Sequence, residues 1–140
     1  MSSFRIFDIA GSGMAAQSVR LNTVASNLAN AESVSGDPKL AYRARHPVFE
    51  AVRANVMAGQ GKDVGAAVRV KDVVQSDAAP EARYEPGNPL ANAEGFIYAP
   101  NVNVVEEMVD MISASRAYQN NVEVMNTSKE LLLATLRLGS

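Results

Sequence analysis

Residues 104–138 read VVEEMVDMISASRAYQNNVEVMNTSKELLLATLRL, and this stretch decides the fold. Val104, Met108, Met111, Ser115, Tyr118, Val122, Met125, Lys129, Leu132 and Leu136 follow one another by four and three, and all but Ser115 and Lys129 are apolar. Alternating spacings of this kind place side chains on one narrow stripe of a helix, as in a heptad seam. Asn103 can accept a hydrogen bond from an orphan amide, and Glu106 three residues later fits a capping box. Glu107 and Asp110 add negative charge near the positive helix end. Arg137 and Gly139 mark the other end, so one helix from about Val104 to Leu138 is predicted.

Residues 4–31 carry the same kind of pattern in weaker form. Phe7, Met14, Leu21 and Leu28 recur every seven, and the positions between them are mostly small: Ala10, Gly11, Gln17, Ser18, Val24 and Ala25. Small seam residues permit close helix approach. At 1.5 Å per residue the two helices would run to roughly 40 and 50 Å. A compact chain of 140 residues is only about 35 to 40 Å across by the usual scaling of size with length. The pattern therefore predicts an antiparallel or side-by-side helix pair projecting from a smaller body, with both termini at the far end.

All six prolines lie between residues 38 and 100, which confines the long helices to the ends. In this middle, 66–74 alternates in part like a half-buried strand, 95–99 reads as another, and 42–45 with 48–52 as a third broken at Pro47. Gly59-Gln60-Gly61 and Pro86-Gly87-Asn88-Pro89 are turn signals. The expected class is α+β. The terminal segments 1–31 and 104–140 would pair as a coiled-coil-like inner domain, and 32–103 would form a small β-rich domain.

Composition narrows the function. With 47% hydrophobic and 20% charged residues the 140-residue chain can bury a core, as one or at most two small domains. Thirteen basic against fifteen acidic side chains give a net charge of -2, which gives no electrostatic reason to expect binding to a nucleic-acid backbone. Zero cysteines exclude disulfides, thiolate metal sites and a cysteine nucleophile. No apolar run approaches the roughly 20 residues that cross a bilayer, so no direct membrane insertion is expected. The first residues lack the pattern of a cleaved signal peptide.

The candidate chemistry is thin. Gly11-Ser12-Gly13-Met14-Ala15-Ala16 spells a dinucleotide-binding fingerprint with Glu32 downstream, but it lies within a helical stripe rather than after a strand, so glycines at a close helix contact fit better. His46, the single histidine, has no partner of its own kind and reads as a loop or packing residue. The acidic group Glu106, Glu107 and Asp110 reads as charge complementing the helix dipole rather than as a cation site. No nucleophile, base and oxyanion donor come together, and no enzyme, cofactor or metal is expected.

The most telling feature is the scarcity of charge near the start. Residues 1–30 hold only Arg5, Asp8 and Arg20, while Ser, Asn, Gln, Ala and Thr fill the faces away from the stripe. A solvated helix face normally carries many Lys and Glu. Neutral small faces suit burial among many copies. Amides at Gln119, Asn120, Asn121 and Asn126 interrupt the second helix, and buried amides there can fix register.

Several spaced blocks then agree in order with one family. Asn27-Leu28-Ala29-Asn30-Ala31 after a heptad helix resembles the N-terminal signature of flagellar rod and hook proteins. Tyr84-Glu85-Pro86-Gly87-Asn88-Pro89, Gly95-Phe96-Ile97, Pro100-Asn101-Val102-Asn103, Glu107-Met108-Val109-Asp110 and residues 114–122, with Arg116, Tyr118 and Val122, are similar to the proximal-rod branch of that family. Asn88 and Leu90 depart from it, where histidine and aspartate are usual. The resemblance implies a non-enzymatic, self-associating subunit of the flagellar basal body, in a rod that crosses the periplasm. It also implies delivery by the type III export apparatus without a cleaved signal. The implied partners are other proximal and distal rod subunits, the adaptor joining rod to MS ring, and that apparatus. Phe7, Met14, Leu21, Leu28, Asn27, Asn30, Met108, Met111, Arg116, Tyr118, Val122, Met125, Leu132 and Leu136 are the expected assembly residues. A secretion-linked coiled-coil adaptor or hub that does not polymerise shares the amphipathic ends and is the alternative.

Overall fold

The computed structural model describes residues 3–53 and 66–139. Helix α1 spans Ser3–Ala29, strands β1 and β2 span Arg45–Arg53 and Ala66–Gln75, β3 and β4 span Glu81–Tyr84 and Phe96–Ala99, and helix α2 spans Val104–Leu138. The class is α+β, with the long helices at the two ends. Asn103 caps α2 as expected, its side chain accepting from the amides of Val105 and Glu106. At the other end the Gly139 amide donates to Thr135 O. The glycine fingerprint lies within α1, so no strand precedes it.

The helices are antiparallel. Asn27 meets Glu107, Arg20 meets Asp110, and Gly13 stands against Asn121, so α2 rises as α1 descends. The last turns of α2 pass the level at which α1 begins, and there Leu131, Leu133, Leu136 and Leu138 are exposed.

The middle forms two separate two-stranded antiparallel sheets, β1 with β2 and β3 with β4. Two features differ from the sequence expectation. β1 runs unbroken through Pro47, which pairs with Val73. A strand with one neighbour has a free edge on which the missing proline amide is tolerated. The irregularity comes one residue later, between Val48 and Phe49, where Lys71 has no partner in the register. β3 was not expected at all: its four residues Glu81–Tyr84 are all exposed, so no alternation marks them. The Gly59-Gln60-Gly61 turn lies outside the described residues.

The β1–β2 pair does not sit beyond the helix ends. It packs along α1, and Ser12 Oγ accepts from the Val68 amide at 3.1 Å while donating to Ile9 O. The β3–β4 pair is tied to the chain leaving α1 through a bridge between Ser35 and Tyr98. His46 lies exposed on β1, opposite Val74.

Candidate assembly interface

Asn27 near the end of α1 is 0% exposed. A primary amide has two N–H donors and two acceptor sites, and here all four are used. Nδ2 donates to Arg45 O and to Glu107 Oε1, both at 2.9 Å. Oδ1 accepts from the Arg45 amide and from the Tyr42 hydroxyl, also at 2.9 Å. The side chain thus pairs with Arg45 as another strand would, closing the free edge of β1 at its first residue. Because the Tyr42 hydroxyl hydrogen goes to Asn27, Ser26 Oγ donates in its 3.3 Å contact with that hydroxyl. One side chain therefore joins α1, the connecting loop, β1 and α2.

Glu107 is 5% exposed, and its Oε2 has no hydrogen-bond partner among the described residues. The Asn27 amide is the partner that holds its other oxygen. Asp110, one turn on, accepts from Arg20 Nη2 at 2.7 Å. Two of the three acidic residues expected to serve the helix dipole thus have specific partners on α1. The Arg20–Asp110 pair is partly exposed and contributes at most about 1 kcal/mol.

Midway along the pair the helices approach closely. A Cβ on Gly13 would lie 2.8 Å from Asn121 Nδ2, which itself donates to Ala117 O. Gly11 faces open space, so of the two fingerprint glycines only Gly13 is required by packing. Gly13→Val should destabilise the folded chain by about 2 kcal/mol through overpacking. Combining it with Asn121→Ala should recover most of the loss in urea melts, since the three atoms nearest to the added Cβ all belong to that side chain. A loss that the second change leaves untouched would place the strain elsewhere.

The expected assembly residues divide into three groups. Asn27 is buried. Phe7, Met14, Leu21, Leu28, Asn30, Met111, Tyr118, Val122, Met125 and Leu132 are half-buried. Met108, Arg116 and Leu136 are exposed. The Asn30 side chain makes only a local bond, from Nδ2 to Ser26 O. The face of α2 turned to α1 runs through Glu107, Ala114, Asn121 and Ser128 together with Met111, Tyr118, Met125 and Leu132. Half the seam inside the chain is therefore small or polar. On the opposite side Val105, Met108, Val109 and Ile112, at spacings of three, one and three, leave an exposed apolar stripe.

Sequence reasoning did not find the roles of Glu107, Tyr42 and Arg45 around Asn27. The available signal was an asparagine between Val24 and Leu28 on a buried face, which demands partners.

No helix among the described residues is long and apolar enough to cross a membrane. Among them, no group of three or more His, Cys, Asp or Glu is placed to hold a metal ion.

Comparison with known proteins agrees at both ends of the chain. Residues 7–36 match the family described as "Flagella basal body rod protein", and residues 93–138 the family described as "Flagellar basal body rod FlgEFG protein C-terminal". The chain is 54% identical over 139 residues to "Flagellar basal-body rod protein FlgC" of Escherichia coli O6:H1, with 99% of each chain covered. It is 53% identical to the protein of that name from Salmonella typhimurium and 33% identical to that from Bacillus subtilis, again with 99% of each chain covered.

Proposed function

Because the chain belongs to the flagellar basal-body rod protein family, we propose that it packs in the proximal rod as one of many subunits of a helical tube passing motor torque to the distal rod and hook. It is a structural protein of the basal-body rod, not an enzyme, and it associates with other rod components. In this reading the flagellar type III apparatus exports it without a cleaved signal. Its nearest partners are proximal and distal rod subunits and the adaptor that joins the rod to the MS ring. The terminal segments 1–31 and 104–140 form the inner layer, and 32–103 lies outside.

The observation that carries the assembly reading is the poverty of the chain's own core. Among the described residues the buried apolar side chains are Ala10, Ala16, Val24, Ala41, Ala44, Ile97, Ala99 and Ala114.

 That core is six alanines with one valine and one isoleucine, and it holds no aromatic ring. Large apolar side chains instead stand exposed along α2 and at its overhanging end. A chain that buries so little of its apolar surface alone gains most of its stability by packing against neighbours. Dilute free chain should therefore unfold in urea with a stability below about 5 kcal/mol, the lower edge of the usual range. A value near 10 kcal/mol would contradict this.

The deciding experiment deletes the gene and restores an epitope-tagged copy. Tag in purified basal bodies, with rod and swimming lost in the deletion, supports the reading. A deletion that swims, with tagged protein only in the cytoplasm, would favour the non-polymerising hub.

A further inference from the structure

Between Asp37 and Glu50 the chain has no acidic residue, yet it carries Lys39, Arg43, Arg45 and His46, in a protein whose net charge is -2. An open hollow of about 580 Å³ is lined there by Lys39, Leu40, Tyr42, Arg43, Arg45 and Gln75. The Arg45 guanidinium lies 5.8 Å from the Tyr42 ring centre. The Lys39 and Arg43 side chains make no hydrogen bond or ion pair among the described residues. Leu40 beside them is 77% exposed. The hollow is preformed: Tyr42 is held by Asn27, Ala41 and Ala44 are buried, and the Ala44 amide donates to Asn101 Oδ1.

A surface of opposite character stands on the β3–β4 pair. Residues 77–94 contain Asp77, Glu81, Glu85 and Glu94 against the single base Arg83. At the turn end, exposed Glu85 and Glu94 adjoin Tyr84, which is 65% exposed and packs edge-on against Phe96 with ring centres 5.2 Å apart. The turn is tight. Gly95 has φ +83, and a Cβ there would lie 2.9 Å from the Tyr84 ring. It is also fixed to its own chain, since a Cβ on Gly36 would lie 2.7 Å from Leu90 O.

We propose that the basic hollow of one copy receives the acidic β3–β4 turn of a neighbouring copy, with Glu85 and Glu94 facing Lys39 and Arg43 and the Tyr84 ring against Leu40. This rests on the rod reading. The contact joins two different surfaces, so it is heterologous, the type of contact that builds an open helix when its rotation does not close a ring. The backbone under both surfaces is anchored within its own chain, which limits the ordering cost of association. Opposed rim charges set which surfaces meet and in what register more than how tightly they hold.

The chain has no cysteine, which makes crosslinking clean. Two differently tagged copies, one Arg43→Cys and one Glu94→Cys, are expressed together without the native gene, and isolated basal bodies are oxidised. A reducible dimer carrying both tags is expected. It should exceed the yield from Lys71→Cys with Glu94→Cys, Lys71 being exposed on β2. Tags in the basal body with no excess dimer would overturn the contact and leave the rod reading intact. A tagged native chain missing from basal bodies would overturn the rod reading itself. Charge exchange gives a second measure. Arg43→Glu or Glu94→Arg alone should lower incorporation at least about threefold, and the two together in each copy should restore it. Single variants that incorporate like the native chain would also overturn the contact.

Discussion

Asn27→Asp should unfold most of the free chain and abolish its incorporation into the rod. The substitution keeps the size of the side chain but turns its donor into an acceptor facing Glu107 Oε1 and Arg45 O, each at 2.9 Å in the native chain. Two carboxylates would then share a site where Asn27 is 0% and Glu107 5% exposed. Breaking a buried charged contact costs about 3 to 5 kcal/mol, and an unsatisfied Arg45 carbonyl adds about 1 to 3 kcal/mol. A stability below about 5 kcal/mol cannot absorb that loss. Two further variants assign the effect. Glu107→Gln added to Asn27→Asp restores a donor across the contact and removes the like charge, so at least half of the lost stability should return. Asn30→Asp should cost less than about 1 kcal/mol, because the Asn30 side chain bonds only to Ser26 O in its own helix end. Urea melts of the three variants test this. Equal losses for Asn27→Asp and Asn30→Asp would show that the four-bond site is not what holds the elements together.

The same residue shows where the sequence was legible and where it was not. Helix α2 could be placed from its cap, its periodicity and its terminal glycine because each signal is local, and it spans Val104–Leu138 as expected. β2 and β4 were visible through alternation and flanking turns, whereas β3 is exposed at every residue and carries no pattern to read. Pro47 suggested a broken strand because proline excludes a central position, and only the topology shows that β1 has one partner. Asn27 was singled out through family resemblance. Its physical role depends on Tyr42, Arg45 and Glu107, and the last of these lies 80 residues away. No local signal reports such a meeting. Apolar periodicity on α2 likewise reports every face that leaves water, whether covered by α1 or by another subunit. In the sequence stripe Met111, Tyr118, Met125 and Leu132 lie on the face toward α1, whereas Met108, Ser115 and Val122 each lie one residue past the inward positions Glu107, Ala114 and Asn121, about 100° around the helix. The face toward α1 is small and polar where the helices approach closely, and so hydrophobicity alone does not select it.

That distinction sets up the sharpest test of assembly, which is Ile112→Asp. Ile112 is 55% exposed and shares its stripe with Val105, Met108 and Val109, on the side of α2 away from α1. In the free chain the new carboxylate meets water, and a surface change of this kind alters stability by no more than about 0.5 kcal/mol. If neighbours cover the stripe in the rod, the same carboxylate is buried unpaired, at a cost of several kcal/mol in each copy. The expected result is a subunit that melts like the native chain, is made and exported at native levels, and leaves the cell without a rod or swimming. Tyr118→Asp and Leu132→Asp should also block assembly, but both positions are half-buried within the chain, so stability should fall with function. The contrast is informative because the two classes of variant separate folding from assembly. Ile112→Ala, which removes contact area without adding charge, should retain partial swimming. Normal motility of Ile112→Asp at native expression would mean that this stripe faces solvent in the rod, and the neighbour contacts would then have to lie along α1 and the overhanging end of α2.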